Sequence, residues 1–282
     1  VAYYLSQSGH DTVVLEKRDI GMGSSAASTG LLQYEVDVEL HDLIEKVGET
    51  NAVRSYRLGL EAIQVLHELL SKLGDACDFE FQNSLYLASR KSHVAKLRRE
   101  YACRKRFGFD VDYLEEADIR RCFPFTAPAA ILAGGDAQLD PYRATHVLMR
   151  AAQANGARVY DRSTVASIRR SKSKVALRTD EGHEVKAGRL IIAAGYEAQR
   201  YFKKTVGKLH STFAFISEPV ASFADHADDR PAAQHAEHIS CAGHRRDRRG
   251  ERTIKETERD FLLIEIRKGA DDPGKNQKKK KA

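Results

Sequence analysis

Val1 to Lys17, VAYYLSQSGHDTVVLEK, decides how this chain reads. Ala2, Tyr3, Tyr4 and Leu5 form the body of a helix, Gly9 stops it, and Thr12 to Leu15 make a short β-branched strand with Glu16 at its carboxyl end. Helix, turn, strand and terminal acid in that order are the back half of a dinucleotide-binding βαβ unit. In such a unit the acid takes the hydroxyls of the adenosine ribose. The front half, a strand entering a G-x-G-x-x-G turn, has no counterpart ahead of Val1, and there is no initiator Met. The expectation is therefore a fragment or a mis-started gene model.

After Glu16 and Lys17 comes a run of small residues, Gly21-Met22-Gly23-Ser24-Ser25-Ala26-Ala27-Ser28-Thr29-Gly30. Small side chains let backbone N–H groups approach a phosphate or a ring system closely, and Ser and Thr hydroxyls add donors. Alone, the run is equally consistent with a solvated Gly/Ser turn. With its flanks, VAYYLSQSGHDTVVLEK…GMGSSAASTGLLQYEVD resembles the D-amino-acid-oxidase-like (DAO) family of FAD-dependent oxidoreductases. The resemblance implies FAD as cofactor, with Glu16 on the ribose and Lys17 near the adenosine end. It also implies that Ser24, Ser25, Ala26, Ala27, Thr29, Gly30 and Leu31 pass the ribityl and flavin region.

Two later segments extend the resemblance in the same order. Asp140-Pro141 starts a helix running to Asn155, Gly156 stops it, and Ala157 to Tyr160 leads on to Ser163-Thr164-Val165. In the family the corresponding valine, here Val165, contacts adenine through its backbone. An alternating hairpin turns at Asp180-Glu181-Gly182, and the strand Leu190 to Ile192 ends at Ala194-Gly195, where the family returns to the cofactor.

The implied fold class is α/β, an incomplete Rossmann-like FAD/NAD(P)-binding domain with an inserted α+β substrate domain. Residues 1–35 and 139–206 are expected in the first, 36–138 and 207–220 in the second. Apolar spacing predicts helices at Leu40–Val47, Ser55–Leu73 and His93–Phe107, and strands at Ser84–Ala88, Asp110–Leu114, Ala130–Leu132 and Ser211–Pro219. Arg98, Arg99, Arg104, Lys105 and Arg106 are expected on the exposed face of the third helix.

Composition changes near residue 220. Of 22 Phe and Tyr residues only Phe223 and Phe261 follow it, among dense charge, so residues 221–282 are expected to be disordered or frameshifted near Val220. His235, His238, Cys241 and His244 recur every three residues, but that spacing spreads ligands around a helix, and no metal is expected. The formal charge of +6 is modest, Lys278 to Lys281 read as a solvated terminus, and no aromatic-interleaved basic platform indicates nucleic acid. Cys77, Cys103, Cys122 and Cys241 lack C-x-x-C pairing, which suits reduced thiols in the cytoplasm. No apolar run is long enough for a membrane span, and Val1 to Ser8 is too short and polar for a secretory signal.

The family resemblance implies hydride transfer from a carbon bearing an amine to flavin, with a small amine or amino acid as substrate. Within the family, STGLLQYEVD looks most like the γ-glutamylputrescine-oxidase-type members. Tyr34, Glu35 and Asp37 are candidate pocket residues, either acid pairing with a substrate ammonium. The competing reading is a solvent-facing alternation with Val36 and Val38 buried. Two other functions stay open: a non-catalytic remnant of a flavoprotein fold, and a protein that binds through its basic tail. With no glycine turn to hold the pyrophosphate, the 282 residues alone are expected not to turn over.

Overall fold

The computed structural model describes residues 1–123, 125–202, 238–242 and 261–266. Its first elements are α1 (Ala2–Gln7), β1 (Asp11–Glu16), β2 (Leu31–Leu32), α2 (Leu40–Val47), α3 (Glu49–Lys72) and β3 (Glu80–Ala88). Then come α4 (Val94–Arg106), β4 (Val111–Glu115), α5 (Glu116–Cys122), β5 (Ala129–Gln138) and α6 (Pro141–Ala154). β6 (Arg158–Tyr160), β7 (Val165–Arg170), β8 (Val175–Thr179), β9 (Glu184–Ala187) and β10 (Arg189–Ile192) follow, and β11 (His238–Ala242) and β12 (Phe261–Ile266) complete the set. Of the described residues, one compact unit holds 1–26, 145–202 and 261–266; a second holds 27–123, 125–144 and 238–242. The segment 27–35, expected with the cofactor domain, groups with the second unit because Leu31 and Leu32 pair with Gln138 and Ala137.

In the first unit α1 closes with the His10 N–H donating to the Leu5 carbonyl and the Gly9 N–H to that of Ser6, both at 3.0 Å. Thr12 to Glu16 are all buried, as in a strand covered on both faces. β6 lies parallel to β1, and β12 lies on the other side, antiparallel to both β1 and β10, giving the order β10-β12-β1-β6. Val13 and Leu15 pack with Leu177 and Ala187 of the antiparallel sheet β7-β8-β9.

The second unit is a sheet ordered β11-β3-β5-β2, with β4 also on β5. One edge of β5 changes partner along its length: residues 129–133 pair with β4 and residues 137–138 with β2. The change falls at Gly134-Gly135-Asp136, which lies outside the strand Ala130–Leu132 expected from apolar spacing. The predicted helices match α2, α3 and α4 within a few residues, except that α3 starts six residues before the predicted Ser55. Leu85, Leu87, Ile119, Phe123 and Ala130 form one core cluster, and Tyr34, Tyr56 and Phe109 form a ring cluster with centroids 5.7–5.9 Å apart.

Two strands, β11 and β12, fall among the residues after 220, the segment whose composition suggests a disordered or frameshifted tail. Composition averaged over the residues after 220 dilutes FLLIEI, a six-residue run with five apolar members, which is enough for a strand. His238 and Cys241 fall on β11 and not on a helix, while His235, His244, Ser211–Pro219 and Lys278 to Lys281 lie outside the described residues. Among the described residues no group of His, Cys, Asp or Glu is arranged to hold a metal, and no helix is long and apolar enough to cross a membrane.

Candidate functional site

In the first unit, Glu16 sits at the carboxyl end of β1, where a parallel pair such as β1–β6 presents ligands. Its side chain is only 2% exposed, and one carboxylate oxygen accepts the Arg18 N–H at 2.9 Å. Ser163 N–H donates to the Glu16 carbonyl at 2.7 Å, tying the strand end to the chain leaving β6. Lys17 is half-buried beside it. Val165 opens β7 and packs on the Val13–Leu15 core. Ala194 is buried beyond β10, and Gly195 follows it, exposed, with φ +55°. Ser24 and Ala26 are exposed and Ser25 half-buried, with the Ala26 N–H on the Gly21 carbonyl at 3.0 Å.

In the second unit, Ala27, Ser28 and Thr29 are exposed, Gly30 is buried, and Leu31 is 40% exposed. Gly30 has φ +75°, its N–H meets the Ser28 hydroxyl at 3.2 Å, and a Cβ there would collide with the Leu139 carbonyl. Only glycine fits, so the loop enters β2 at a fixed angle. Three residues beyond Leu31, the Tyr34 N–H donates to Asp136 of β5 at 2.9 Å. From the other side α3 presses close at Gly59, where a Cβ would lie 2.6 Å from the Tyr34 carbonyl oxygen.

Beneath this segment lies a buried charge cluster. Arg104 of α4 donates to Glu35 at 2.5 Å and to Glu100 at 2.6 Å, and its guanidinium stands 5.5 Å from the Tyr56 ring centroid. Glu100 also accepts the Leu40 and His41 N–H groups at 2.9 and 3.1 Å, capping the start of α2, and contacts the His41 ring at 2.8 Å. Burial opposes the charge on Glu100, but Arg104, His41 and the Leu40 N–H outweigh it and hold the carboxyl below its ordinary range. Asp136 goes the other way. Burial first, then the charge of Glu35, pushes it up to about 7 against the pull of Ser84, the Tyr34 N–H and Arg104.

A family model described as "FAD dependent oxidoreductase", DAO, matches residues 1–276. The chain belongs to the DAO family. The match runs well past residue 220, where the composition changes. Curated relatives include the gamma-glutamylputrescine oxidoreductase of Escherichia coli, 28% identical over 68% of this chain and 45% of that protein. Another is the putative Rieske 2Fe-2S iron-sulfur protein YhfW of Bacillus subtilis, 20% identical over 69% of this chain and 37% of that one. Among solved structures, glycine oxidase from Geobacillus kaustophilus superposes with a TM-score of 0.55 at 22% identity, covering 64% of this chain and 48% of that one; it shares the fold. The chain spans less than half the length of each of these relatives.

DAO proteins are FAD dependent, and the residues here suit that cofactor. Glu16 is an acceptor-only group at a strand end, matched to the two donors of a ribose diol. Ser24, Ser28 and Thr29 offer exposed hydroxyls in a loop of small residues.

The candidate substrate residues fare unevenly. Tyr34 is 2% exposed and stacked on Phe109, and Glu35 has Arg104 as its partner where a substrate ammonium was expected. Asp37 is exposed. Val36, expected to be buried under the competing alternation, is 44% exposed. Arg104 is the second correction. It is buried, while Arg98, Arg99, Lys105 and Arg106 are exposed as expected. Leu97, Glu100 and Arg104 sit at helical spacing on the inward stripe of α4, a pattern that polar residues disguise in a hydropathy reading.

Proposed function

We propose that this chain carries the adenosine and flavin contacts of an FAD-dependent enzyme that oxidises an amine or amino acid. The observation that carries the reading is Glu16, a buried carboxylate closing β1 beside the parallel strand β6, in a chain of the DAO family. Glu16 accepts from the ribose hydroxyls, with Lys17 beside the adenosine. Val165 lies along the adenine through its backbone, and Ser24, Ser25, Ala26, Ala27, Thr29, Gly30 and Leu31 line the ribityl and flavin side, with Ala194 and Gly195 at the return. When bound, FAD accepts a hydride from the carbon that bears the amine. Of the acids after the loop, exposed Asp37 is the one open to a substrate ammonium, since Glu35 is neutralised internally. The names of the relatives, gamma-glutamylputrescine oxidoreductase and glycine oxidase, support an amine or amino-acid substrate class.

The test is reconstitution. Purified protein titrated with FAD is expected to quench flavin fluorescence saturably, and NAD is expected not to compete. Anaerobic addition of candidate amines and amino acids to the loaded protein tests the substrate class: bleaching of the flavin absorbance supports it and overturns the expectation that these 282 residues alone do not turn over. Protein that ignores FAD but turns over a nicotinamide cofactor would overturn the reading.

A further inference from the structure

At the end of the first unit opposite Glu16 the chain forms a cavity of about 550 Å³. Strands β1 and β10 are both antiparallel to β12 and therefore run the same way. Glu16 and Ala194 lie at their carboxyl ends, whereas His10, just ahead of β1, and Arg189, the first residue of β10, border the cavity at their amino ends. Along β1, Asp11 to Glu16, those ends are roughly 17 Å apart at the ordinary strand rise. A third basic residue at the cavity, Arg170, is placed by the sheet β7-β8-β9. Register sets Ile168, Leu177 and Val185 in one row and Arg170, Val175 and Ala187 in the next row of the same face, the face packed on Val13 and Leu15. Alternation calls for an apolar side chain at that position. A guanidinium serving solubility alone belongs on the outer face, where Glu184 pairs with Arg169 at 3.1 Å and with Lys186 at 3.0 Å. Arg170 instead is exposed at the cavity, and among the described residues no carboxylate pairs with it.

The rest of the lining is apolar and half-buried: Leu5 of α1, Val175 of β8, and Leu190 and Ile191 of β10. Among the described residues no Asp or Glu lines the cavity. A cavity of this size, apolar with a few convergent polar groups, suits a small organic ligand. Two guanidiniums beside it favour a planar anion, since each presents paired N–H donors that match a carboxylate. An inorganic anion would leave the apolar wall facing water. We propose that this cavity binds a small organic acid, its carboxylate at Arg170 and Arg189 beside His10 and its aliphatic body on Leu5, Val175, Leu190 and Ile191, as a second ligand site remote from Glu16. Arg189 and His10 also have contacts within the fold, which leaves Arg170 as the guanidinium most open to the ligand. Each methylene laid on the wall adds affinity, and the charge fixes the orientation. The site does not rest on the proposed flavin function, because none of its residues is assigned to the cofactor.

The experiment is isothermal titration calorimetry of the full chain with butanoate, hexanoate and octanoate, beside 1-octanol, octylammonium and inorganic phosphate. Affinity for the acids should rise by about tenfold with each added pair of methylenes, and the three controls should bind at least about tenfold more weakly than octanoate. Arg170→Met should weaken octanoate by about tenfold and Arg170→Glu by more, while Arg170→Lys, which keeps the charge without the fork, should fall between Met and the wild type. Because Arg170 is exposed, the thermal midpoints of all three variants should match that of the wild type. Saturating octanoate should leave FAD affinity unchanged. No heat with octanoate, equal affinity for the three acids, phosphate or 1-octanol binding as tightly as octanoate, or an Arg170→Met chain that binds octanoate like the wild type overturns the proposal. Displacement of FAD by octanoate also overturns it, since the acid would then occupy the cofactor site. A chain that binds no FAD but titrates with the acids as expected overturns the flavin reading and leaves this site supported.

Discussion

Two acidic centres in this molecule are built in opposite ways. Glu16 ends a strand whose preceding residues announce it, and its neighbours in space include its neighbours in sequence, with Arg18 on its side chain and the chain leaving β6 on its carbonyl. The Glu35–Arg104–Asp136 cluster is assembled from segments up to 102 residues apart, on a loop, the helix α4 and the strand β5. The first kind of centre fits a ligand from outside the chain, because a carboxylate at a strand end can take donors that the fold need not supply. The second kind is occupied by the chain itself. Its removal should harm the fold, while removal of Glu16 should harm binding.

The sharpest way to break that contrast is Arg104→Met. It strands Glu35 and Glu100 in the interior without a counter-charge, and breaking a buried pair from one side costs about 3–5 kcal/mol. Urea unfolding measures this; a loss below about 1 kcal/mol would mean that the cluster contributes little. Arg104→Lys should recover only part, since an ammonium lacks the fork that reaches both carboxylates. Next comes Gly59→Ala. Alanine is the better helix former, but its Cβ meets the Tyr34 backbone at 2.6–3.1 Å. Crowding should outweigh propensity and destabilise by about 1–3 kcal/mol in the same assay.

Asp136→Asn should have the opposite sign. The folded protein holds the Asp136 proton up to about pH 7, whereas the unfolded chain releases it near its ordinary value, so the folded state binds more protons in between. Wild-type stability from this group is therefore full below about pH 4 and lost as pH rises through about 7. The variant should match the wild type in acid and exceed it by up to about 4 kcal/mol at pH 8, as read from unfolding curves across pH. The smallest effect sharpens the baseline: Arg120→Ala removes an exposed pair with Glu116 at 2.7 Å and should change stability by less than about 0.5 kcal/mol.

The same contrast separates what the amino-acid sequence makes legible from what it conceals. Strand β1, its terminal acid and the helices α2 and α4 follow from local periodicity, so their residues stand in sequence close to their observed places. Asp136 is concealed because two glycines suggest a turn, when they mark the point where β5 exchanges β4 for β2. Arg104 is concealed among the six basic residues of α4, and only the carboxylates of Glu35 and Glu100 distinguish it. β12 is concealed by composition, because the polar residues around FLLIEI outweigh six residues of strand.

FAD titration of the Glu16→Ala chain beside the wild type tests most directly whether Glu16 serves a cofactor while the buried cluster serves the fold, with the unfolding midpoint of each taken on the same sample. Charge-assisted hydrogen bonds contribute about 1.5–3 kcal/mol, so the variant should bind FAD about tenfold more weakly or worse while unfolding close to the wild type. Unchanged FAD affinity, or a loss of stability as large as that of Arg104→Met, would contradict this division of roles.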